Sequence, residues 1–112
     1  MNVGAGWLPS IFFDLDKSIV QTKYNETLAS VALIMKNNPN LKFEIMGNCD
    51  TRANAEYNAK LGKRRAEAVK KHLVKKYGID PDRLTTTTKG KDDPITNEDH
   101  AMNRRVDFKV TQ

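Results

Sequence analysis

The 112-residue chain carries nineteen Lys and Arg against fourteen Asp and Glu, a net charge of +5, and 38% of its residues are hydrophobic. That length suits one domain with one modest core and excludes a second, and no apolar run approaches the roughly 18 residues of a membrane span. The basic balance favours polyanions as a class, whether nucleic acid, acidic lipid or a carboxylate-rich polymer.

Residues 1–10 read as a linker or remnant ahead of a domain spanning 11–112, with no basic-then-apolar amino terminus of the signal-peptide kind. Ile11, Phe13 and Leu15 then alternate with Phe12, Asp14 and Asp16, the period of a strand with one buried face. Tyr24, Leu28, Val31, Ala32 and Met35 recur at helical spacing, which predicts a helix over Thr22–Asn37 stopped by Asn37-Asn38-Pro39-Asn40. Leu41, Phe43 and Ile45 start a second strand running to about Cys49, the only cysteine, so no internal disulfide forms.

Asn48–Asn54 reads as a polar loop, followed by a long helix from Asn54, its N-cap, to Tyr77, with Gly78 as the residue that ends it. Pro81 turns the chain into a Thr-rich strand over Arg83–Thr88. Lys89–Asn103 has no clear period and reads as a loop holding a short helix near Glu98–Met102. The last strand places Val106, Phe108 and Val110 on one face and Arg105, Asp107, Lys109 and Thr111 on the other. Two helices and four strands in this order suit a two-layer α/β sandwich with both helices on one face of the sheet.

Polar groups standing where the period asks for apolar ones mark the candidate site. Arg65 falls in the row formed by Leu61, Val69 and Leu73, with Asn58 two turns earlier on nearly the same line, while Lys60, Lys63, Arg64, Glu67, Lys70 and Lys71 fall mostly on the opposite side. A guanidinium so placed must be paired. It is either half of a structural salt bridge to a strand carboxylate or a cation held for an anionic ligand. Arg104 shares the parity of Val106 and Phe108, so it is expected to face inward, with Asp14 or Asp16 as internal partner, and Arg105 to face solvent. Asp50 sits in a strand-to-helix loop, where it either bonds its own loop or presents a carboxylate at the mouth of a cleft. One carboxylate and one guanidinium facing a shared groove suit a zwitterion, the first taking an ammonium and the second a carboxylate.

Several spaced segments together resemble the OmpA-like domains. Gly47-Asn48-Cys49-Asp50 and Tyr57-Asn58-Ala59-Lys60-Leu61-Gly62-Lys63-Arg64-Arg65-Ala66-Glu67-Ala68-Val69 are similar to that family's signature, and Phe13-Asp14-Leu15-Asp16-Lys17 to its first strand. Gly78-Ile79, Arg83-Leu84, Gly90, Pro94 and Asn103-Arg104-Arg105-Val106 are similar to its later landmarks, so the resemblance runs from Ile11 to Val110. It implies a βαβα(α)β fold with a mixed four-stranded sheet. It also implies a non-enzymatic domain in the periplasm of a Gram-negative cell, the soluble part of an outer-membrane-attached protein, binding peptidoglycan non-covalently and anchoring the outer membrane to the cell wall. In that family the positions of Asp50 and Arg65 clamp the diaminopimelate of the stem peptide. The positions of Asn58, Leu61 and Arg104 line the pocket, with Asp16 and Thr51 nearby. The chain departs from the family at Asn48-Cys49, where His and Thr or Ala are usual, and at Thr51-Arg52-Ala53, where a glycine is missing.

Other chemistries have weaker signals. No nucleophile stands beside a base, and His72 and His100 are isolated. Asp92, Asp93, Glu98, Asp99 and His100 match no regular metal spacing, so neither metal nor cofactor is expected. The basic face of the long helix lacks interleaved aromatics, which argues against nucleic acid. The rival reading is a structural or oligomerisation module of an outer-membrane protein, with homo- or hetero-association, in which Arg65 serves an internal salt bridge.

Overall fold

In the computed structural model, residues 8–14, 17–48, 55–90 and 104–111 are described. They form strands β1 (Ile11–Phe12), β2 (Phe43–Asn48), β3 (Leu84–Gly90) and β4 (Arg105–Val110), and helices α1 (Asn25–Asn37) and α2 (Ala55–Tyr77). Single 3-10 turns at Thr22–Tyr24 and Pro81–Arg83 lead into α1 and β3. The sheet order is β1-β4-β2-β3, with β4 antiparallel to both neighbours and β2 parallel to β3. The sheet is therefore mixed. The parallel pair forces a crossover, which α2 supplies.

The apolar periods account for the packing. Leu28, Val31, Ala32 and Met35 are the buried stripe of α1, and Ala66, Val69 and Leu73 that of α2. They meet Phe43, Ile45, Leu84, Val106 and Phe108 of the sheet in one core. Cross-strand register places Ile45 opposite Phe108 and Gly47 opposite Val106, so one sheet face receives both helices.

Several differences from the expected elements have local causes. The first strand is two residues long, and after it Lys17 N–H bonds back to Asp14 O at 3.1 Å in place of a further strand partner. The first helical turn is 3-10 rather than α, a common form at a helix start. Arg83 closes a 3-10 turn instead of opening the strand; Asp80 caps that turn by accepting from Asp82 N–H at 2.9 Å. Gly78 ends α2 at φ 70°, the left-handed conformation expected of it, with its N–H on Val74 O. β3 also runs on through Lys89 and Gly90, which were expected to open the loop, because its parallel pairing with β2 continues to Asn48 opposite Gly90. The N-cap expected at Asn54 and the rest of that loop, with its helix near Glu98–Met102, lie outside the described residues. Among the described residues, no helix is long and apolar enough to cross a membrane.

One contact sets how α2 lies on the sheet. A Cβ at Gly47 would stand 1.7 Å from Gly62 O, and one at Gly62 would stand 2.4 Å from Thr88 Oγ1. Helix and strand backbones therefore touch at this point, which no side chain permits. Arg65, one turn beyond Gly62, is brought down onto the end of β2.

Candidate ligand site

Arg65 is the largest fully buried side chain among the described residues, with no exposed surface. Burying a guanidinium is tolerated only where its N–H groups find acceptors. Here Nε donates to Lys17 O at 2.8 Å, Nη1 to Asn48 O at 3.0 Å and Nη2 to Asp14 O at 3.1 Å. The Phe13 ring lies under the guanidinium, 5.3 Å away. Three carbonyls from two separate chain segments thus fix its position. Asp14 meets Arg65 through its backbone oxygen, and its side chain is exposed. Asp14, a carboxylate of the kind expected to pair with Arg65, thus meets it by a main-chain bond instead.

The two segments held by Arg65 are the ones that lead to the other candidate residues. Asp14 and Lys17 flank positions 15–16, and Asn48 ends β2 just ahead of Cys49 and Asp50. Asp16, Asp50 and Thr51 themselves lie outside the described residues. Asn58 and Leu61 are buried on α2, 2% and 3% exposed, and with Arg65 they share one helix face at spacings of three and four.

Arg104 stands just before β4 and is half-buried. Its Nε donates to Phe13 O at 3.0 Å while its own carbonyl accepts from Phe13 N–H at 2.8 Å. With Phe12, Phe13, Asp14, Gln21, Lys23 and Tyr24 it lines an open groove of about 270 Å³. The structure therefore brings Arg65 and Arg104 onto neighbouring carbonyls, those of Asp14 and Phe13.

Arg105 was expected to be solvated. It is 5% exposed instead, and its Nε donates to Asp107 Oδ2 at 2.8 Å. Its face was read correctly; what periodicity lacked was any sign that this outer face is covered at its end. Asp107 also accepts from Ser10 Oγ at 2.5 Å and from Asn48 Nδ2 at 3.4 Å. This polar network binds β4 to the end of β2 from the side away from the helices. Opposite charges two apart on a strand share a face, and that spacing was the available signal.

Arg83 also escaped the sequence reading. It donates to Leu41 O, Met35 O and Asn38 O at 3.1, 2.7 and 2.9 Å and so closes the carboxyl end of α1. Among the described residues, no group of three or more His, Cys, Asp or Glu gathers as a metal site would require. The acidic residues 92–99 and His100 lie outside those residues.

Comparison with known proteins places this geometry in a class. Residues 12–107 match the OmpA family, and the chain belongs to that family. It is 41% identical over 103 residues to outer membrane protein A of Bordetella avium, covering 88% of this chain and 53% of that protein. It is 37% identical over 105 residues to outer membrane protein Omp38 of Acinetobacter baumannii, covering 90% of this chain and 30% of that protein. The chain thus spans about half, or less, of the length of these relatives. The crystal structure of the peptidoglycan-associated lipoprotein from Burkholderia pseudomallei superposes with a TM-score of 0.86 at 34% identity, over 91% of this chain and 89% of that one.

Proposed function

We propose that this domain binds peptidoglycan non-covalently through the diaminopimelate of the stem peptide, and so anchors an outer membrane to the cell wall from the periplasmic side. Membership of the OmpA family and likeness to a peptidoglycan-associated lipoprotein support the polymer as ligand. The observation that carries the chemistry is Arg65, whose guanidinium is fixed by carbonyls of the two segments leading to Asp16 and to Asp50. In this reading Arg65 takes the carboxylate of a diaminopimelate head group and Asp50 its ammonium, with Asn58, Leu61, Arg104, Asp16 and Thr51 around them. The site binds and does no covalent chemistry. Each charge-assisted bond contributes roughly 1.5–3 kcal/mol, so one head group is held modestly. Firm attachment comes from many such sites along a polymer.

A second reading is favoured by the complete burial of Arg65: the arginine serves the fold, and the domain acts as a structural or oligomerisation module. Co-sedimentation with purified sacculi separates the two when the variant is Asp50→Asn, which removes a charge from the candidate site and leaves the carbonyl bonds of Arg65 in place. Binding should fall at least tenfold, with an unchanged melting temperature, and free diaminopimelate should compete with the wild type. Full binding by Asp50→Asn, or no competition, would leave the structural reading standing.

A further inference from the structure

Among the described residues, β3 is the last strand on its side of the sheet. An edge strand presents a row of carbonyls and N–H groups on which another extended chain can dock. The run Leu84-Thr85-Thr86-Thr87-Thr88 is rich in β-branched residues and has no proline, a composition that pairs readily.

Two lysines of α2 occupy that row. Lys63 Nζ donates to Thr86 O at 2.9 Å and to Thr86 Oγ1 at 2.7 Å, and Lys70 Nζ donates to Leu84 O at 3.0 Å. Leu84 and Thr86 are alternate residues, whose carbonyls turn to the same side of a strand. Glu67, one turn from each lysine, completes the arrangement: it accepts from Thr86 Oγ1 at 2.5 Å and lies 3.5 Å from Lys63 Nζ. The Thr86 hydroxyl, followed by the charge of Lys63, holds the Glu67 carboxyl below its ordinary value. An ammonium on an edge carbonyl removes an acceptor and sets a charge where an incoming strand would lie.

We infer that Lys63 and Lys70 are a latch that closes the β3 edge against pairing with the same edge of a second copy of this chain. The partner is a second copy because identical edges are self-complementary about a two-fold axis when they pair antiparallel. The latch lies on α2 and β3 and uses none of the residues assigned to the ligand, so it stands or falls apart from the proposed function.

The test compares three double variants by sedimentation velocity over a range of concentrations. Lys63→Ala with Lys70→Ala opens the edge; alanine is the strongest helix former, so α2 is not weakened. Lys71→Ala with Lys75→Ala removes the same two charges from exposed positions of α2. Lys63→Arg with Lys70→Arg keeps charged donors on the edge. Only the first should form dimers or larger species as concentration rises, with slowed amide exchange across Leu84–Gly90 in the assembled form. Three results would overturn the latch: a monomeric Lys63→Ala, Lys70→Ala variant, equal self-association by the Lys71, Lys75 pair or by the arginine pair, or assembly without slowed exchange in β3. Unfolding of the alanine pair at low concentration, read from its circular dichroism, would also overturn it by making the contact one of stability.

Discussion

Two arginines at separate places in this domain make similar bonds to the main chain in different surroundings. Arg83 and Arg65 each donate to three backbone carbonyls, and each guanidinium lies near a phenylalanine ring, Phe43 at 5.9 Å and Phe13 at 5.3 Å. Arg83 remains partly open to water and satisfies Met35 O in the last turn of α1 and two carbonyls of the chain leaving it, where a cation also meets the favourable end of the dipole. Arg65 has no exposed surface and ties Asp14 and Lys17, beyond β1, to the end of β2. The three main-chain bonds alone thus do not set Arg65 apart from a structural arginine. What distinguishes Arg65 is burial and the segments it holds.

The largest effect is expected where that comparison is broken at its buried member. Arg65→Ala leaves three inner carbonyls without their donor, at about 1–3 kcal/mol for each that water cannot reach. Two of the three bonds are only partly buried, so the loss lies in the lower part of that sum, roughly 3–5 kcal/mol, enough at about 4–8 °C per kcal/mol to lower the melting temperature by more than 10 °C. A melting temperature within a few degrees of wild type would show that the three bonds matter little. Loss of sacculus binding by this variant is for the same reason weak evidence about the ligand, and Asp50→Asn is the cleaner probe.

Arg83→Ala is expected to cost less, about 1–2 kcal/mol, because water replaces part of what the guanidinium supplied at an exposed helix end. Its effect should appear as faster amide exchange in the last turn of α1, with sacculus binding unchanged. Equal losses for the two arginines would remove the distinction drawn from burial.

The smallest effect concerns His72, which belongs to neither arginine. Its Nε2 is buried with no partner among the described residues, and its ring packs 5.8 Å from that of Tyr77. Burial, followed by the charge of Lys76, pushes its pKa below the ordinary 6.5. The unfolded chain therefore takes up a proton at a higher pH than the folded one does. Stability should decline as pH falls through 6.5 and below. Denaturation of His72→Gln at pH 7.5 and 5.5 should show a smaller change than wild type; an identical change would remove the assignment.

Much of this architecture was legible because period and burial coincide. The stripe of Leu28, Val31, Ala32 and Met35, the alternation of Val106 and Phe108, and the glycine ending α2 each state their own environment. The inward direction of Arg65 was legible too, since it interrupts an apolar row. Its acceptors were not, because carbonyls carry no sequence label; carboxylates were the only partners a reading of side chains could offer. Arg105 shows the converse failure. Its face follows from parity, but whether that face is open depends on Asn48 and Ser10, distant in sequence and brought together by the strand order. Arg83 was hidden for a similar reason, since the helix it closes lies more than forty residues earlier in the chain. The pairing of Asp50 with Arg65 came from resemblance to a family, and it stays a proposal.

The most direct test exploits one chemical difference. Diaminopimelate is lysine with a carboxylate added to the carbon that bears its side-chain ammonium, so a stem peptide with lysine in that place keeps the ammonium that Asp50 would hold and lacks the carboxylate that Arg65 would hold. Titrating each soluble peptide into the domain while following the Arg65 Nε–H resonance should give a saturable shift with the diaminopimelate peptide. The lysine peptide, or the Asp50→Asn variant with either peptide, should bind at least tenfold more weakly. Equal affinity for the two peptides, or an Arg65 Nε–H that does not move at saturation, would contradict the account.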